Sequence, residues 1–92
     1  MYIEIVSPEA VLFAGEVISV TVPVINGEFQ MLTNHAPIVS ILQEGEVKIK
    51  GEIKIEEEYE DKFTKDSNGK TILHINSGTI ELNDNKLIVL AE

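Results

Sequence analysis

The chain has no cysteine, no tryptophan and, among its seven basic residues, no arginine. Without cysteine there is no disulfide, no thiolate metal site and no cysteine nucleophile, a composition that fits a reducing compartment. Without arginine there is no guanidinium fork to grip a phosphate at two points. Seven lysines stand against sixteen acidic residues, a net charge of −9. Phosphate backbones and anionic lipid surfaces repel such a chain, which argues against nucleic acid as a partner. Glu4 lies close to Met1 with no lysine nearby, so the basic region of a secretory leader is missing. No apolar run approaches the roughly 18–20 residues a membrane-spanning helix needs. The expectation is a soluble chain with no direct membrane insertion, reaching a membrane only through a partner.

What is present is aliphatic. Apolar residues make up 43% of the 92 positions and aromatics only 5%, so Val, Ile and Leu must fill the core. These residues favour pleated, half-buried strands. The length predicts one small domain over residues 1–92, burying roughly 60–65% of its unfolded surface. Apolar positions alternate with period two. Ile3 and Ile5 share a face before Ser7-Pro8. Ile18, Val20 and Val22 form one face of a strand that Pro23 closes, with Val17, Ser19 and Thr21 on the other. Val47, Ile49, Ile53 and Ile55 keep one parity across Gly51. Further strands are predicted at 38–42, 71–75, 79–82 and 86–90. Turn residues separate them at Gly15, Asn26-Gly27, Glu44-Gly45, Asn68-Gly69, Ser77-Gly78 and Asn83-Asp84-Asn85. Helical spacing is nowhere sustained, so the chain is predicted to be all-β, an antiparallel sandwich or flattened barrel. Only the acidic stretch at 56–70 breaks the pattern, and its like charges predict a solvated strand end or loop.

No constellation supports catalysis. His35 and His74 are the only imidazoles and lack ligand partners at helical offsets, so a corner residue and an ordinary strand residue are the readings to expect. The acids of 56–61 contain no Gly and are mostly Glu, unlike a calcium loop. Glu28 has no second carboxylate nearby in sequence. Ser7, Ser40 and Ser77 lack a nucleophile elbow, and Asn26-Gly27 is followed by no phosphate-binding loop. No metal or cofactor is expected.

Four segments in order nonetheless form a pattern: Ile5-Val6-Ser7-Pro8-Glu9 with Leu12-Phe13-Ala14-Gly15-Glu16-Val17; Val20-Thr21-Val22-Pro23 leading to Gly27-Glu28-Phe29; Asn34-His35-Ala36-Pro37; and Ser77-Gly78 through Glu81, closing with Leu87–Glu92. Together they resemble the N-terminal β-sandwich of the epsilon subunit of F-type ATP synthases. The resemblance implies a two-sheet sandwich of about ten strands. It implies a non-catalytic rotor subunit of the central stalk in a proton-translocating synthase, peripheral at the cytoplasmic face of a bacterial membrane. One face would bind the gamma subunit and an edge the polar loops of the c-ring. Glu28 matches an acidic family position that faces those loops, which often carry arginine, and a carboxylate suits that partner. Ser7, His35 and Ser40 match positions turned toward gamma. Phe13 is assigned to the same contact, within an exposed apolar patch. Gln30, Thr33 and Thr79 depart from residues common in the family and leave loop detail open. Relatives usually continue past the position of Glu92 into two antiparallel helices that inhibit ATP hydrolysis. A chain ending here would couple without inhibiting. The alternative from another class is a freestanding sandwich that binds a sugar or calcium through its loops.

Overall fold

Alternating aliphatic and polar residues become ten short strands in the computed structural model, which describes residues 1–92. In chain order they are β1 (Tyr2–Val6), β2 (Val11–Glu16), β3 (Ser19–Val24), β4 (Gly27–Leu32), β5 (Ile38–Leu42), β6 (Gly45–Lys50), β7 (Phe63–Lys65), β8 (Thr71–Ile75), β9 (Gly78–Asn83) and β10 (Lys86–Ala91), with a short 3₁₀ helix at Glu57–Lys62 before β7. They form two five-stranded sheets, ordered β2-β1-β10-β9-β5 and β4-β3-β6-β8-β7. The all-β class is therefore as the alternation predicts, and the two-sheet sandwich is as the resemblance implies. One pairing departs from the antiparallel expectation: β1 and β10 run parallel, Ile3 opposite Leu87 and Ile5 opposite Val89.

The inward positions form the core. Ile3, Ile5, Leu87 and Val89 from the first sheet face Val20, Val22, Val47 and Ile49 from the second, all fully buried within a cluster of 18 residues. Each such side chain contributes about 1.5–3 kcal/mol when removed from water, so the sheets are held by many similar increments rather than by any one anchor.

Several boundaries differ from the sequence expectation, each for a local reason. Gly15 is not a turn but lies within β2, where a Cβ would stand 3.0 Å from Phe13 Cζ; the aromatic ring occupies the place of the missing side chain. Pro23 does not end β3, which continues to Val24. Pairing with β6 stops at Thr21, and the Pro23 carbonyl accepts a bond from Gln43 N–H at 2.9 Å, so the absent proline N–H faces a side with no ladder to complete. Ile18 leaves the buried face of Val20 and Val22 and is 56% exposed, while Val17 takes an inward place. Their amides are tied to different segments, Val17 N–H to the Met1 carbonyl and Ile18 N–H to the Lys50 carbonyl.

The alternation through Ile55 ends early, because the chain leaves β6 after Lys50 at Gly51, whose φ of 150° is one L side chains rarely adopt. The acidic stretch becomes neither loop nor strand end at first, but the 3₁₀ helix with no buried residue. Glu57, Glu58 and Glu60 lie in its first turn and Lys62 in its last, the arrangement a helix dipole favours. Tyr59 and Phe63 anchor it by packing on the core, and β7 then pairs with β8.

Candidate functional site

Two surfaces stand out, one apolar and one charged. The apolar one is the outer face of the first sheet. Strand β5 has aliphatic residues on both parities: Ile38 and Leu42 turn inward, while Val39 and Ile41 turn outward and are 75% and 70% exposed. Across β9, Leu90 on β10 is also exposed, with Ile88 and Val6 half-buried on the same side. Ile25, at the tip of the β3–β4 hairpin, borders a depression shared with Val39, Ile41 and Thr79 and is the most exposed aliphatic residue of the chain. Thr79 and Glu81 of β9 lie between these aliphatic side chains, and an exposed patch of this size is a candidate docking surface.

The charged surface is the outer face of the second sheet. Glu28 on β4 lies opposite Pro23, and Lys48 on β6 lies opposite Thr21 of the same strand. Their side chains meet diagonally across β3, with Lys48 Nζ donating to Glu28 Oε2 at 2.7 Å. The hydrogen bond to Glu28 and its charge hold the Lys48 pKa above the ordinary 10.5. Desolvation opposes this, and Glu46 and Asp66 add to it. No three carboxylates or imidazoles converge as a metal site would require. His74 only approaches Glu44, at 4.0 Å on the exposed surface.

The other residues singled out in the sequence are dispersed. Ser7 closes the β1–β2 turn: its hydroxyl donates to the Ala10 carbonyl at 3.2 Å and accepts Ala10 N–H at 3.3 Å. It shares a depression at that end of the first sheet with Val6, Ile41 and Leu90. Ser40 lies on the inward parity of β5, opposite Ile80, and its hydroxyl donates to the Ile41 carbonyl at 3.2 Å. Phe13 is on β2, separated from β5 by three strands, and packs against the core over Gly15.

His35 sits at the opposite end from Ser7, in the β4–β5 corner. Its Nδ1 is 2.7 Å from the Ala36 carbonyl, and its ring meets Phe29 edge-on at 5.4 Å. The corner is fastened to the β9–β10 turn by paired amides: Asn34 N–H donates to Asn85 Oδ1 at 2.7 Å and Asn85 Nδ2 donates to Asn34 Oδ1 at 3.1 Å. Ser7 and the neighbours of Ser40 thus converge on one end of the first sheet, whereas Phe13 and His35 do not join them. Val39, Ile41, Leu90 and Lys48 were not among the residues singled out. For β5 the signal was the run Ile-Val-Ser-Ile-Leu, apolar on both faces of a strand that turns out to be an edge.

Over residues 1–92 the chain matches the family described as ATP synthase, Delta/Epsilon chain, beta-sandwich domain. It belongs to that family. Among relatives of this Delta/Epsilon sandwich is the ATP synthase epsilon chain of Chlorobaculum tepidum, 34% identical over 90 residues and covering 98% of this chain and 86% of its own. The epsilon chain of Chlorobium limicola is 33% identical with the same coverage. That of Dichelobacter nodosus is 32% identical over 88 residues, covering 96% of this chain and 52% of its own length. Among solved structures, the sandwich superimposes on the central stalk and c-ring assembly of Tetrahymena thermophila mitochondrial ATP synthase with a TM-score of 0.73. There it is 12% identical and covers 99% of this chain and 62% of that one. For the Euglena gracilis mitochondrial enzyme the TM-score is 0.72 at 17% identity, covering 97% and 48%. These two likenesses concern the fold. In this Delta/Epsilon sandwich, the fold presents exposed aliphatic residues on one sheet and an ion pair on the other.

Proposed function

We propose that this epsilon-family sandwich, residues 1–92 acting as one unit, is a non-catalytic subunit of the rotor stalk of a proton-translocating F-type ATP synthase. It clamps the gamma subunit to the c-ring so that ring rotation turns the stalk. The observation that carries the reading is the outward aliphatic row of Val39, Ile41 and Leu90 on a chain that matches the family end to end. That row is the gamma contact, supported at its end by Ser7 and from beneath by Ser40. His35 and Phe13 contribute by holding the corner and edge that shape the sheet. Glu28 meets the polar loops of the ring. A stalk joint of this kind needs at least about 1,000 Å² of buried surface to be stable. The complex is peripheral, at the cytoplasmic face of a bacterial membrane.

Capture of the gamma subunit tests this. Val39→Asp with Ile41→Asp places charge on an already exposed face, so the fold is expected to persist while capture is lost. Capture that survives the double substitution removes the aliphatic row from the interface. Glu28→Arg is expected to leave gamma capture intact and to weaken coupling of proton flow to ATP synthesis in a reconstituted complex. Unchanged coupling removes the electrostatic role of Glu28.

A further inference from the structure

Lys48 is the only lysine of the chain that forms an ion pair with a carboxylate. The pair joins β4 to β6 over β3, and the two side chains remain 53% (Glu28) and 28% (Lys48) exposed. Exposed pairs of this kind are weak, so another cation can take the acid. A guanidinium is the stronger competitor, because it binds a carboxylate through two parallel bonds where an ammonium offers a point charge. The displaced ammonium would not be stranded, since Glu46 and Asp66 also act on Lys48.

We propose that Lys48 is a built-in competitor for Glu28. The acid engages a cationic partner surface by exchanging one cation for another, and residue 48 sets how readily the carboxylate is released. This rests on the reading that Glu28 meets a cationic surface of the ring. Lys48 is then a specificity-determining residue. Glu28 is masked toward stray monovalent cations and amines, and yields to a correctly placed arginine.

The competitor role and a supporting role predict opposite orders. A lysine that merely props Glu28 in place would make Lys48→Met bind a cationic partner more weakly than the parent. A competitor makes it bind more tightly, and Lys48→Arg, which grips Glu28 through a fork, more weakly. The test titrates the full chain, labelled with carbon-13 at side-chain carboxyls, with a cyclic peptide presenting a single arginine. Binding is read from the Glu28 carboxyl shift and from the amides of β4. The expected order of affinity is Met, then Lys, then Arg at position 48, with steps of about two- to fivefold. In the Glu28→Gln background, followed through the amides, the three should be equal.

An unchanged or weakened Lys48→Met, or the same order persisting with Glu28→Gln, overturns the competitor. If Glu28→Gln alone leaves peptide affinity unchanged, the contact role of Glu28 itself fails. If it weakens binding while residue 48 has no influence, only the competitor does.

Discussion

Gly78 has no room for a side chain, since an added Cβ would collide with the Leu90 carbonyl oxygen of the paired strand. That contact is backbone and cannot swing aside, so Gly78→Ala is expected to destabilise the fold by about 1–3 kcal/mol in urea denaturation. Lys48 gives a second prediction at this scale. Its pKa is raised in the folded chain, so the favourable contribution of its charge is fully present below 10.5 and is lost as pH rises through the folded value. Stability followed from about pH 9 to 12 should therefore fall less steeply in Lys48→Met than in the parent. Neither residue could be placed from sequence. Ser77-Gly78 reads as a turn, and nothing in the run Glu46–Lys50 shows which lysine the register of β3 will bring to Glu28. Alternation assigns a residue to a face, but the diagonal neighbour depends on how strands far apart in sequence align.

At the scale of elements, the hairpin between β9 and β10 was the most legible feature. Asn83-Asp84-Asn85 contains the residues that tolerate left-handed backbone, and Asp84 and Asn85 adopt φ of 50° and 63°. The long-range role of Asn85 was not legible. Its amide fastens the Asn34 corner and its carbonyl accepts Tyr2 N–H at 2.9 Å, so one turn residue ties three segments together. Asn85→Ala is expected to lose about 1–3 kcal/mol, by removing the amide bonds and straining the turn. Asn85→Gly should lose less, because glycine keeps the backbone conformation. In both, hydrogen exchange at the Asn34 amide should accelerate. The 3₁₀ helix was missed because three acids in one turn read as solvent-facing. The anchors that fix it, Tyr59 and Phe63, are spaced by packing rather than by a periodic pattern.

For the whole molecule, the net charge of −9 has no counterpart in the core and acts at a distance. The proposed association with a cationic ring surface should be fast at low salt and slow markedly as ionic strength rises from about 0.01 to 0.15 M, where the screening length falls from about 30 to 8 Å. Stopped-flow mixing at several salt concentrations checks this. The proposed docking of gamma on the aliphatic face should change far less over the same range, so salt alone should separate the two proposed contacts. The all-β class was readable because it follows from alternation and turn chemistry, which are local, whereas the two-layer count came only with the family resemblance. The aliphatic row became visible only once β5 was known to be an edge, a property of the assembled sheet.

The parallel pairing of β1 with β10 bears on how the chain is made. Strand β1 can find its inner neighbour only after β10 has left the ribosome. A nascent chain emerging from the tunnel therefore holds Ile3 and Ile5 paired on the β2 side alone until β10 has emerged. Closure is then a late, long-range step, slow by the standard of hairpin formation. Stalled translation before residue 86 should leave a species that chaperones recognise and proteases clear.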